Sequence, residues 1–91
     1  MRDNEIVFSA RILRKQPDLP RYIVIAPGIL PQSNGSFSAQ VSLNGCPPFG
    51  RTIRPWRKGS DVYFFNLTEP QCRKAGADTG DECEVIVRLQ S

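Results

Sequence analysis

Apolar and polar residues alternate with a period of two along most of the chain, the signature of half-buried strands. From Glu5 to Leu13, Ile6, Phe8, Ala10 and Ile12 face one way and Ser9 and Arg11 the other. A loop set by prolines and charges, Arg14 to Pro20, leads into a short apolar strand over Arg21 to Ile25. Two prolines and a glycine in Pro27-Gly28-Ile29-Leu30-Pro31 leave room for one helical turn or none, and Gln32 to Gly35 reads as a turn. The cleanest alternation runs from Ser36 to Leu43, with Phe37, Ala39, Val41 and Leu43 opposite Ser36, Ser38, Gln40 and Ser42, so one face meets a core and the other water. Asn44-Gly45 is a strong hairpin signal, and Phe49 to Arg54 returns beside it with Phe49, Arg51 and Ile53 on one side. Pro47 and Pro48 confine the start of that strand to an edge.

The stretch around which the rest is organised runs from Val62 to Leu89. Tyr63, Phe65 and Leu67 alternate with Val62, Phe64 and Asn66, which predicts a strand buried largely on both faces. Thr68 then stands as an N-cap, Glu69 and Pro70 occupy the first turn, and Gln71 completes a Thr-x-x-Gln capping box. The helix starting at Glu69 carries Cys72, Arg73, Lys74 and Ala75, has its cations where the dipole favours them, and ends at Gly76. Asp78 to Asp81 make a turn, and Cys83, Val85, Val87 and Leu89 share one face of the closing strand. The fold class is therefore all-β: a small barrel of six strands with one short helix, formed as one domain over residues 1–91. Tyr22 to Ile25, a Pro-containing turn, Gly35 and an alternating strand run faintly parallel to Tyr63 to Leu67, a Pro-containing turn, Gly80 and an alternating strand. The chain thus has two similar halves.

Composition narrows the chemistry. With 12 Lys+Arg against 9 Asp+Glu the net charge is +3, which is not a polycation. Locally the charge is polarised: Arg51, Arg54, Arg57 and Lys58 fall close together, as do Asp78, Asp81, Glu82 and Glu84. Cys46, Cys72 and Cys83 are an odd number without C-x-x-C spacing and the chain has no histidine, so neither a disulfide framework nor a Cys/His zinc site is supported. They read as free thiols in a reducing compartment. Met1 to Glu5 is charged and no apolar run reaches spanning length, so the expectation is a cytoplasmic protein without a membrane partner.

Several pieces taken in order resemble a known family: Phe8-x-Ala10, Asn44-Gly45 followed by Pro48-Phe49 and Thr52-Ile53-x-Pro55, Gly59-x-x-x-Tyr63, and Arg73-Lys74-Ala75-Gly76 with Gly80-Asp81. From Phe8 to Leu89 the chain resembles the small bacterial family designated domain of unknown function nineteen-oh-five, often found ahead of a second domain in proteins labelled bacteriocin-protection or YdeI/OmpD-associated. The resemblance implies a double-split β-barrel, an architecture shared with AbrB/MazE-type transcription factors, which build it from two chains. The chain departs from the family in its proline-broken first-half connection and its extra charges at Arg57 and Lys58, and no companion domain stands within it. The family's activity is unknown, so the resemblance implies a fold and not a function.

No motif compels catalysis. Without histidine a Cys-His or Ser-His pair is excluded within the chain, and no Gly-rich phosphate loop is present. Asp78, Asp81, Glu82 and Glu84 match no calcium-loop spacing; the plainer reading has Asp81 capping a turn and the glutamates solvating a strand face. No catalytic residue, metal or cofactor is expected. Arg51, Arg54, Arg57 and Lys58 with Trp56 are the better candidates, since cations along a strand and loop beside an aromatic ring can meet phosphates and stack on a base. The competing reading is that Trp56 closes a barrel end and the cations are solvated. The expectation is a non-enzymatic binding module for an anionic ligand, nucleic acid or a protein partner. An AbrB-like DNA-binding regulator and a small enzyme using the acidic residues near Asp81 are the alternatives.

Overall fold

Each alternating stretch forms a strand in the computed structural model, which describes residues 5–30 and 35–89. The elements are β1 (Glu5–Arg11), β2 (Arg21–Ile25), β3 (Phe37–Leu43), β4 (Phe49–Pro55), β5 (Tyr63–Leu67), α1 (Glu69–Ala75) and β6 (Glu82–Leu89). The six strands form one antiparallel sheet in the order β1-β6-β3-β4-β5-β2. The ends of that sheet meet: Leu13 and Tyr22 exchange two backbone hydrogen bonds of 2.9 Å, joining the chain just past β1 to β2. The all-β, barrel-like fold with one short helix is as the pattern predicts. Exchanging β1-β2-β3 with β4-β5-β6 leaves the order around the ring unchanged, which gives the faint likeness of the two halves a structural meaning.

Two seams of the ring carry few pairs. β4 and β5 are in register only at Arg54↔Phe64 and Pro55↔Tyr63, and the β1 side meets β2 through the single Leu13–Tyr22 bridge. Around that bridge the chain changes partner residue by residue. Arg11 pairs with Glu82, Ile12 bonds Gly80 and Asp81 through its carbonyl and amide, and Leu13 bonds Tyr22.

The core is the inner face of the ring. Ile23 and Ile25, Val41 and Leu43, Ile53, Phe65, and Val85 and Val87 are almost wholly buried, joined by Tyr63, Leu67, Cys83 and, from the helix, Cys72. Phe8, Ala10, Phe37 and Leu89, expected in the core, pack against it half-buried. The outer face of β5 differs from expectation: Phe64 is half-buried and Asn66 exposed, because nothing in the ring stands outside that strand to cover them. Between β2 and β3 no helical turn forms among the described residues. Pro27 and Gly28 occupy the centre of a β-turn closed by Ile29 N–H to Ala26 C=O, with Gly28 at φ +86°, the third turn position where a left-handed residue is required. Of the turn expected over Gln32 to Gly35, residues 32–34 lie outside the described residues, and Gly35 has φ +79°.

Local signals fix the second half. Thr68 accepts from the Gln71 amide and the Gln71 side chain accepts from the Thr68 amide, while Gly76 ends the helix in the left-handed conformation. Asn44 (φ +49°) and Gly45 (φ +77°) form the left-handed pair of a hairpin turn closed by Cys46 N–H to Leu43 C=O. Asn44 does more than turn the chain. Its side chain donates to Ala75 C=O at 3.1 Å and accepts from Glu84 N–H at 2.9 Å, tying the hairpin to the helix end and to β6.

Thr68→Ala is expected to cost about 1 kcal/mol, the usual worth of an N-cap. Asn44→Ala, which loses two hydrogen bonds and places a less tolerant residue in the left-handed region, should cost about 2 kcal/mol. Denaturant midpoints at unchanged slope check both, and the order Asn44 above Thr68 is the point at risk.

Candidate functional site

Beyond Arg54↔Phe64, β4 and β5 diverge, and the gap between them is a cleft of about 380 Å³. Its walls are Gly50, Arg51, Thr52 and Arg54 from β4, Phe64, Phe65 and Asn66 from β5, and Ser38 to Gln40 of β3. Arg51 shares its face of β4 with buried Ile53, and Arg54 lies on the other face, exposed. Both line the cleft because it is a gap between strands, open to residues of either face. Arg51 Nε is shut off from solvent and has no hydrogen-bond partner among the described residues. An unsatisfied buried donor costs about 1–3 kcal/mol, and more when it belongs to a charged group.

A second cleft, of about 310 Å³, opens on the other side of the outer face of β5. Tyr22, Trp56 and Phe64 form its aromatic wall, Lys15, Leu19 and Pro20 its rim, and Asn66 its polar end. The Trp56 and Phe64 rings form a T-shaped pair at 5.5 Å and 78°, and the Trp56 and Tyr22 rings a tilted pair at 5.9 Å and 41°. Its backbone amide is held by Val62 C=O at 2.7 Å. The indole is thus fixed but remains 38% exposed. Lys15 Nζ lies over it, 5.3 Å from the ring centroid, a contact worth about 0.5–1 kcal/mol at an exposed site. The rim is braced by Arg14, whose guanidinium donates to Leu19 C=O at 2.8 Å and to Pro17 C=O.

Phe64 and Asn66 line both clefts, so the two are neighbours along β5 and together make up a two-part groove. Of the residues singled out by sequence, Arg51, Arg54 and Trp56 line this groove. Arg57 and Lys58 line neither cleft. They begin a β-turn closed by Ser60 N–H to Arg57 C=O, with Gly59 at φ +80°, and both are exposed on it. Lys15, Tyr22, Phe64 and Asn66 were not singled out by sequence. The signal was available only for Phe64 and Asn66, as the polar-aromatic outer face of an alternating strand.

The acidic turn is structural in its contacts. Asp78 faces the Arg21 guanidinium, with Nη2 to Oδ2 at 3.3 Å beside a closer Nε–Oδ1 pair, and accepts from the Thr79 amide at 2.6 Å. The Arg21 contact first, and then the Thr79 amide, hold the Asp78 carboxyl at about 2 against an ordinary 3.8; the same pairing raises Arg21. Asp81 accepts the Asp78 amide at 2.9 Å, closing the turn on itself, and Glu82 and Glu84 are exposed. Among the described residues no group of three or more His, Cys, Asp or Glu gathers to hold a metal. All three cysteines are free; burial pushes the Cys72 and Cys83 thiols up, away from the thiolate a nucleophile needs. No helix among the described residues is long and apolar enough to cross a membrane.

Comparison of the chain with family models, with curated proteins and with solved structures returns no match.

A folded-state pKa below the unfolded one contributes stability that is complete above the unfolded value and is lost as pH falls through the folded value. The Asp78–Arg21 contribution should therefore fade between about pH 4 and 2. In acid unfolding followed by circular dichroism, Asp78→Asn should be less stable than wild type at neutral pH and should approach it as pH falls. A constant difference across that range would show that the pair contributes nothing.

Proposed function

We propose that this chain is a non-enzymatic binding module that takes an anionic group of a ligand into the cleft between β4 and β5, against Arg51 and Arg54. The observation that carries the reading is the Arg51 guanidinium, which lines an open cleft where no carboxylate stands among the described lining residues. A phosphate or carboxylate in the cleft would give that cation a partner, and charge-assisted hydrogen bonds of this kind are the strong ones. Arg54 at the same cleft adds a second cation. Binding rather than turnover is supported by the engagement of Asp81 in its own turn and by the raised thiols of Cys72 and Cys83. The two-fold strand order supports the resemblance to domain of unknown function nineteen-oh-five and to AbrB/MazE-type architecture, and so a bacterial, cytoplasmic module. The AbrB-like regulator reading draws on Arg57 and Lys58, which project from the β4–β5 turn where a duplex backbone could reach them.

Short-chain inorganic polyphosphate, titrated calorimetrically at low salt, tests the reading. Wild type should bind, with a log-log salt slope of about −1 to −2 for two neutralised charges. Arg51→Gln with Arg54→Gln should weaken binding at least about tenfold with little change in thermal midpoint, because Gln relieves an unsatisfied donor. Arg57→Gln with Lys58→Gln should leave the cleft's affinity nearly unchanged. Absence of polyphosphate binding, or a loss confined to the Arg57/Lys58 variant, would refute the cleft and in the second case favour the exposed turn.

A further inference from the structure

We infer that the ligand is a nucleotide, its phosphate held by Arg51 and Arg54 and its base lying against Trp56; this rests on the anion-binding reading above and says what the anion is attached to. The basic cleft and the aromatic cleft share Phe64 and Asn66 as walls, so a ligand seated on the arginines has a ring-lined slot next to it across those side chains. Phe64 and Tyr22 pack beside the Trp56 indole and leave it 38% exposed, so it offers surface on which a base can stack.

What covers the platform is removable. Lys15 lies over the indole on an exposed side chain, and a flat base stacks on an aromatic ring more strongly than an exposed ammonium does. A base entering the slot displaces the ammonium, which then has a phosphate within the same groove to move towards. Asn66 stands between the two clefts, exposed, and its amide offers both a donor and an acceptor to a ribose or a base edge. Lys15, Arg51 and Arg54 are the charged residues lining the groove, and no carboxylate lines it among the described residues. A polar and cationic half joined to an aromatic half is the complement of a phosphate joined to a base. A free mononucleotide and a nucleotide within a single strand present the same chemistry. A duplex does not, because its bases are paired and stacked away from the slot.

Trp56 is the only tryptophan in the sequence, so its emission reports the slot without any label. The purified wild-type chain is titrated at low salt with adenosine monophosphate, with an adenine single strand of about six nucleotides, with the corresponding duplex, and with ribose 5-phosphate as the base-free control. The expected result is quenching of Trp56 by the mononucleotide or the single strand, at affinities at least about tenfold above ribose 5-phosphate. A single strand binding about tenfold or more tighter than the mononucleotide identifies nucleic acid as the source, and equal affinity per site identifies a free nucleotide. Trp56→Leu, which keeps the slot filled with an apolar side chain, should erase the preference for a base while retaining polyphosphate binding. Arg51→Gln with Arg54→Gln should abolish both. Equal binding of ribose 5-phosphate and adenosine monophosphate, binding with unchanged Trp56 emission, or a duplex bound as tightly as the single strand would overturn the inference while leaving the anion site standing. Failure to bind any of these probes or polyphosphate would overturn both. The wild-type quench alone decides the matter if Trp56→Leu does not fold.

Discussion

Two hydrogen bonds between Leu13 and Tyr22 turn a six-stranded sheet into a ring, and the rest of the structure depends on that closure. An open sheet of this length would have one face in water and two unpaired edges, which are templates for association. Once closed, it presents a single inner face, and the short alternating strands bury Ile23, Ile25, Val41, Leu43, Ile53, Val85 and Val87 almost completely. The closure also places Tyr22 on the outside of the ring beside β5, where it can meet Trp56. The same contact that completes the core therefore builds one wall of the aromatic cleft.

Closing a small ring from short twisted strands leaves some neighbours poorly paired, and here the deficit falls at two seams. At the β4–β5 seam the deficit has become a cleft, and Arg51 lines it with its Nε buried and unpaired among the described residues. A domain with a total stability of about 5–15 kcal/mol keeps a buried cationic donor unsatisfied only at a noticeable fraction of that total. A ligand that supplies the acceptor returns the deficit, and by mass action stabilises the fold further as its concentration rises above its dissociation constant.

What could be read in the sequence was what is local. The Thr68-x-x-Gln71 box, the Gly76 stop, the Asn44-Gly45 turn and the strand alternations each depend on residues within a few positions of one another, and each stands where the pattern puts it. The groove is assembled from β2, β3, β4, β5 and the loop before β2, and no short-range pattern reports which strands diverge. Phe64 illustrates the limit: an aromatic on the second face of a strand reads as core when the sheet order is unknown, and proves to be a groove wall. Arg57 and Lys58 illustrate the converse, since nearness in sequence to Arg51 and Arg54 suggests one patch, whereas the turn at Gly59 carries them outside the cleft. Asp81 was legible as a turn residue because its partner, the Asp78 amide, is three positions away.

The two seams, related by the exchange symmetry of the ring, have been treated differently. At the β1–β2 seam a single bridge is supplemented by side chains and by the corner after α1. Ile12 bonds Gly80 and Asp81, Arg11 donates to Gly80 C=O at 2.6 Å, and Arg21 at the start of β2 pairs with Asp78. That seam is bound shut by charge and backbone together. At the β4–β5 seam Arg51 and Arg54 of β4 line a cleft with no carboxylate among its described lining residues, and the gap stays open. The two seams of a nearly symmetric ring thus differ in their charge pairing: Arg21 beside the first has an internal carboxylate partner in Asp78, and the cleft at the second is lined by arginines without one among the described residues.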